Sequence, residues 1–159
     1  MTGLAEPFEL FMALSVLLTG FERVELYATG VEREYFTEVL RNAGEPVANE
    51  LWLATQRVLE HEKSPARLET ALREEILSSP KLGPVARSVI QMWYTANWTA
   101  LPKSWHAEYG GLRDDVDHVV SARAYPQGLM WQAINAHPMG GKQQGFGAWS
   151  LPPEGSRHE

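Results

Sequence analysis

The sequence predicts an all-α fold: a compact bundle of about five to six helices, followed by an extended C-terminal strap rich in Gly, Pro and aromatic residues. Three observations lead there. Apolar residues recur three and four positions apart through most of the first hundred residues, the spacing of one helix face. Helix-starting and helix-ending residues bracket each such run. The same stretch holds no convincing alternation of apolar and polar residues, the mark of a half-buried strand. The helical domain is assigned to 1–135 and the strap to 136–159.

The first helix is carried by Leu10, Phe11, Leu14, Leu17, Leu18 and Phe21, with Gly20 as its stop. A second is expected from Thr29, because Thr29 and Glu32 have the spacing of a capping box. Val31, Tyr35, Val39 and Leu40 give it an apolar face, and Gly44 ends it. Pro46 suits the first turn of a third helix bearing Val47, Leu51, Ala54 and Val58. Ser64-Pro65 reads as N-cap and first-turn proline of a fourth, with Leu68, Leu72 and Ile76 on its face. "SSPKLGP" breaks that helix, and Pro84 opens a fifth that keeps the helical period from Val85 to Trp98. Beyond it, "TALPKSWHAEYGG" reads as turns and "LRDDVDHVV" as a solvated acidic turn. "YPQGLMWQAINAH" predicts a last helix of about three turns around Leu129, Trp131 and Ile134.

Composition narrows the chemistry. The chain has 159 residues, 44% of them apolar and 21% charged, as a globular domain with its own core requires. The net charge is −6 and the basic residues are scattered, so no stripe suits nucleic acid. There is no cysteine, which removes disulfides, thiolate metal sites, a Cys nucleophile and covalent haem attachment. The most apolar run, Leu10 to Phe21, is twelve residues long, too short to span a bilayer. Glu6 and Glu9 precede it where a signal peptide carries basic residues, and no twin-arginine pair stands upstream.

No motif for catalysis emerges. His106, Asp117, His118 and His137 are the residues from which a metal-dependent or acid–base site would have to be built, yet their spacing matches no metal-binding pattern. No serine lies in a nucleophile elbow. "GGKQQGFG" resembles a phosphate loop only in its glycines. A phosphate loop needs Ser or Thr after Lys, and a dinucleotide fingerprint needs a strand before it and a helix after it.

The aromatic residues carry more information. Five of the six tryptophans lie between Trp93 and Trp149. Trp93, on a helix face, is expected in the core. Phe146 and Trp149 stand in "AHPMGGKQQGFGAWSLPP", Ala136–Pro153, a stretch with four glycines and three prolines. Burying Trp131, Phe146 and Trp149 removes roughly 450–750 Å² from water, about 11–19 kcal/mol as an upper bound. That rivals the net stability of a whole domain, so the segment is expected to lie against a surface. Aromatic and Met anchors on a polar ground are what interfaces favour.

"LSVLLTGF", "VIQMWYTANW" (Val89–Trp98) and "YPQGLMWQAINAHPMGGKQQGFGAWSLPP" occur in that order. Together they resemble the small subunit of membrane-associated, FAD-dependent sorbitol, fructose, glucose and glycoside dehydrogenase complexes. The likeness runs from Phe8 to Pro153, and its most specific part is the A-H-P-x-G…G-F-G-x-W…P-P pattern at Ala136–Pro153. The resemblance implies a non-catalytic subunit that binds no cofactor itself. Its partner would be a GMC-type flavoprotein that holds FAD and oxidises the sugar. Electrons would pass on to a cytochrome c with haem, in some complexes through an iron–sulfur cluster. The small subunit would mature, stabilise and escort that partner to the periplasm, commonly with a twin-arginine signal. Two features depart from the pattern: Ala96 stands where glycine is expected, and the signal is missing, which means that this is a mature or trimmed chain, that the partner supplies the export address, or that the complex stays in the cytoplasm. On this reading Trp131, His137, Pro138, Met139, Phe146, Trp149 and Pro152 form the partner interface. A free-standing helical binding or scaffold protein is the alternative, and a His/Asp metal enzyme the remaining one.

Overall fold

The computed structural model describes residues 5–61 and 63–136. Among them are eight α-helices and one two-stranded ladder. The all-α architecture read from the helical period is therefore the observed one.

Helix α1, Pro7–Thr19, buries Phe8, Leu10, Phe11, Met12 and Leu14, and ends where Gly20 turns left-handed at φ 74°. The predicted capping box at Thr29 is not formed. Thr29 instead closes a short helix α2, Arg23–Ala28, that the apolar period does not reveal. Its hydroxyl donates to the Leu26 carbonyl and accepts from the Val31 N–H. The start of α2 is held by the Glu25 carboxylate, which accepts the Glu22 N–H at 2.8 Å. Helix α3, Glu32–Ala43, ends at Gly44 as expected. Helix α4, Glu45–His61, starts one residue before Pro46. The Ser64 hydroxyl caps α5, Pro65–Leu72, by accepting the Arg67 N–H. That helix runs on into a π-helical turn, Arg73–Leu77.

Helix α6, Leu82–Thr95, stops three residues earlier than the period suggests. Its end is set by Ala96, which takes the left-handed conformation at φ 61° and donates its N–H to the Met92 carbonyl. A Cβ is disfavoured in this conformation by about 1–2 kcal/mol. Asn97–Trp98 then forms strand β1, paired antiparallel with β2, His118–Val119. The supposed turn at 99–111 contains helix α7, Lys103–Tyr109. Trp105 pins it by donating to the Lys81 carbonyl at 2.8 Å. The expected three-turn final helix is a 3₁₀ turn, Tyr125–Gln127, and a short α8, Leu129–Ala133.

The core lies where α1, α3, α4 and α6 meet. Phe11 stacks on Trp93, and Tyr35 meets the same indole edge-on at 4.9 Å. Trp52 packs against Phe11 and Phe36. The Trp93 indole N–H donates to the Ser15 hydroxyl at 2.9 Å, which in turn donates to the Phe11 carbonyl. Trp93 is thus the core residue its helical spacing predicts. No helix among the described residues is long and apolar enough to cross a membrane.

Candidate functional site

The site grows out of an arm, residues 97–136, that leaves α6 at Ala96 and crosses the helical bundle. Polar side chains fasten it at three places. The first is Asp115, whose side chain is only 1% exposed. One carboxylate oxygen accepts the Trp98 indole N–H at 2.7 Å. The other accepts the Leu101 N–H and His106 Nε2, each at 2.8 Å. Asp117 accepts the Ala100 N–H at 2.7 Å. The reading of "DDVDH" as a solvated acidic turn therefore fails at Asp115, which is a buried acceptor shared by three donors. Charge-assisted bonds of this kind are stronger than neutral ones.

The second fastening joins β2 to α3. His118 Nε2 meets the Glu38 carboxylate, which also accepts the Asn42 side-chain amide at 2.9 Å. Beside it, the Leu112 N–H donates to the Asn42 carbonyl. Gly111 lies so close to that carbonyl that a Cβ would sit 2.6 Å from it. The third fastening is Glu34, which accepts from the Ser121 hydroxyl and from Arg123. The Ser121 hydrogen bond, with the Arg123 guanidinium beside it, holds the Glu34 carboxyl below its ordinary value.

These contacts decide what the histidines can do. The ring nitrogens of His106 face the Gly110 carbonyl and the Asp115 carboxylate. Those of His118 face the Val116 carbonyl and the Glu38 carboxylate. All four partners are oxygen acceptors, so neither ring has a free nitrogen to take a proton from a substrate or to bind a metal. His106 and Asp117 make separate contacts within the first fastening, and His118 serves the second. Among the described residues no group of three or more His, Asp or Glu side chains is placed to hold a metal ion. His137 lies outside the described residues.

The arm ends at an open groove. Gly128 packs against the Tyr94 carbonyl, where a Cβ would approach to 2.7 Å. This close passage seats α8 beside α2, with Gln132 reaching Glu25. Ala28, Leu129, half-buried Trp131, Gln132 and Asn135 line a cleft of about 350 Å³. The Trp131 indole N–H donates to the Tyr125 carbonyl at 3.1 Å, and the two rings meet edge-on at 5.6 Å. Ile134 stays 62% exposed. Asn135 then turns left-handed at φ 54°, and the Ala136 N–H bonds back to the Trp131 carbonyl, a Schellman-type end that directs the chain out of α8. An aromatic side chain with a polar rim is the anatomy of an interface core. Of the interface residues expected from sequence, Trp131 lies in this cleft. His137, Pro138, Met139, Phe146, Trp149 and Pro152 lie outside the described residues.

Glu38, Asp115 and Gly128 are the residues that sequence reasoning missed. Asp115 is flanked by two exposed aspartates of the same pattern, so nothing local distinguishes it. Comparison with known protein families, with characterised proteins and with solved structures finds no match to this chain.

Proposed function

We propose that this chain is a non-catalytic accessory subunit that stabilises and matures a GMC-type, FAD-containing sugar or glycoside dehydrogenase. The observation that carries the reading is the end of the arm. Its polar groups are spent on holding it to the bundle, and what it leaves at the α2–α8 cleft is half-buried Trp131 with exposed Ile134 beside it, just before the aromatic-bearing sequence Ala136–Pro153. Fixed side chains around the Trp131 cleft suit docking, where preorganisation lowers the entropy lost on binding. The resemblance of the three sequence motifs to dehydrogenase small subunits names the partner's class. FAD and the redox chemistry belong to that partner, with a cytochrome c or an iron–sulfur cluster further along, and the periplasm is the compartment this role implies.

The test is capture. A tagged form of this chain, produced with a candidate GMC-type flavoprotein partner, is expected to retain that flavoprotein through affinity purification. A Phe146→Ala/Trp149→Ala variant should retain far less while keeping its helical circular dichroism. Equal retention by both forms would reject the strap as the docking element.

A further inference from the structure

Three ion pairs fasten the arm, and their cations differ in kind. Glu34 is met by Arg123, whose guanidinium stays charged at any pH the fold survives. Asp115 and Glu38 are met by His106 and His118, and among the described residues neither carboxylate has a Lys or Arg in ion-pair contact. Their side chains are 1% and 10% exposed, and a carboxylate taken this far out of water needs a positive partner.

The two rings are placed to supply that charge. A neutral imidazole has one N–H and one bare nitrogen, so it serves a single acceptor; an imidazolium serves two. His106 Nδ1 lies 2.7 Å from the Gly110 carbonyl, and its Nε2 lies 2.8 Å from Asp115. His118 Nδ1 lies 2.7 Å from the Val116 carbonyl, with Nε2 on Glu38. In a neutral ring, one contact of each pair would set a lone pair against a lone pair. The end of α3 adds to this at His106. The Asn42 and Ala43 carbonyls crowd Gly111, where a Cβ would lie 3.0 Å from His106 Nδ1, and the C-terminal end of a helix dipole favours a cation. The remaining surroundings bring no second cation from another element. His118 has Asp117 beside it and the uncharged Gln91 and Thr95 of α6 on the same face. Lys103, Glu108 and Tyr109 share His106's own helix.

We propose that the arm is held by a proton-operated latch: when it is docked, His106 and His118 each carry a proton on both nitrogens, and losing those protons frees the stretch from Asn97 to Val120. An imidazole in water sheds its second proton at about pH 6.5. The docked arm therefore holds two protons that an open arm releases above that range, so the fastening is complete in mild acid and weakens as pH rises. Each ring contributes up to about tenfold per pH unit to the opening constant. Glu34, whose carboxyl is held below its ordinary value, stays ionised throughout, and its bond to Arg123 persists. The latch belongs to this chain alone; only its effect on docking at the Trp131 cleft rests on the proposed accessory role.

Nitrogen-15 NMR of the free, labelled chain reads the latch directly. At about pH 7.5 both nitrogens of His106 and of His118 should give the imidazolium signature, whereas the same histidines in the urea-unfolded chain should give the split pattern of a neutral ring. His106→Gln and His118→Gln, each removing one pair of signals, assign them, and the wild-type backbone assignment serves if a variant fails to fold. Amide exchange is the second readout. The Leu101 and Leu112 N–H groups bond Asp115 and the Asn42 carbonyl. Their protection should fall at least about tenfold between about pH 6 and pH 8.5, relative to amides inside α4. A bare nitrogen on either ring at about pH 7.5, or protection that does not change with pH, overturns the proposal. Neither readout involves the flavoprotein, so failure of the latch is not mistaken for failure of the accessory role.

Discussion

Replacing Asp115 by Asn changes one atom and tests how the arm is held. The carboxylate accepts three donors, from Trp98, Leu101 and His106, with a side chain 1% exposed. An amide has one acceptor oxygen. If that oxygen keeps the Leu101 and His106 bonds, the new NH₂ group faces the Trp98 indole N–H. In the flipped orientation it faces two donors at once. At least one buried donor is therefore left unpaired, which costs about 1–3 kcal/mol, and the bond to His106 loses its charge. The expected loss is about 3–5 kcal/mol, a fall in Tm of roughly 10 °C or more for a domain of this size. Urea titration followed by circular dichroism measures it, with Asp114→Asn as the control. Asp114 is exposed, so its substitution should stay within about 0.5 kcal/mol. A loss below about 1 kcal/mol for Asp115→Asn would refute the shared-acceptor account.

Three further substitutions probe the same framework. Ala96→Gly should be nearly neutral, because relief of the left-handed strain offsets the added chain entropy and the lost methyl. Ala86→Gly, inside α6 and fully buried, should cost about 1.5–2 kcal/mol, and equal costs in denaturant titrations would contradict the left-handed assignment. Gly128→Ala drives a Cβ toward the Tyr94 carbonyl, so a loss of about 1–3 kcal/mol is expected together with weaker flavoprotein capture. A variant unchanged in both respects would show that α8 is not seated this way. Tyr35 is fully buried, its hydroxyl has no hydrogen-bond partner among the described residues, and burial raises its pKa above the ordinary 10.0. Above pH 10 the unfolded chain releases this proton before the folded chain does, so stability falls as pH rises. Tyr35→Phe should be neutral or slightly stabilising at pH 7, and should flatten that alkaline decline in melts recorded from pH 9 to about 11. A loss of more than about 1 kcal/mol at neutral pH would mean that the hydroxyl has a partner after all.

The long helices were legible because each buries one continuous stripe, as Leu10 to Leu18 and Val85 to Trp93 do. What was not legible depends on contacts distant in sequence. Helices α2 and α7 span six and seven residues, too short for a period, and are held by the Glu25 side chain and by Trp105. Thr29 offered a plausible helix start, but a hydroxyl that can cap one helix can equally close the one before it. Trp98 kept the helical spacing yet sits in a strand, because Ala96 reverses the backbone first. Asp115 has the composition of a surface residue, and only partners nine to seventeen positions away make it interior. Of the proposed docking surface, Trp131 was named from the resemblance, while its helix proved shorter than its period suggested. The α2 half of its cleft was not, since no pattern in α2 pointed there.

The central claim, that this chain exists to complete a flavoprotein, is tested most directly by the flavin content of that flavoprotein. A candidate GMC-type flavoprotein partner should be produced alone, with the wild-type chain, and with the Phe146→Ala/Trp149→Ala form. FAD per polypeptide is then read from the visible absorbance of each purified sample. The account predicts near-full flavin occupancy and high yield with the wild-type chain, and both markedly reduced in the other two. Equal flavin content and equal dehydrogenase activity in all three would contradict it.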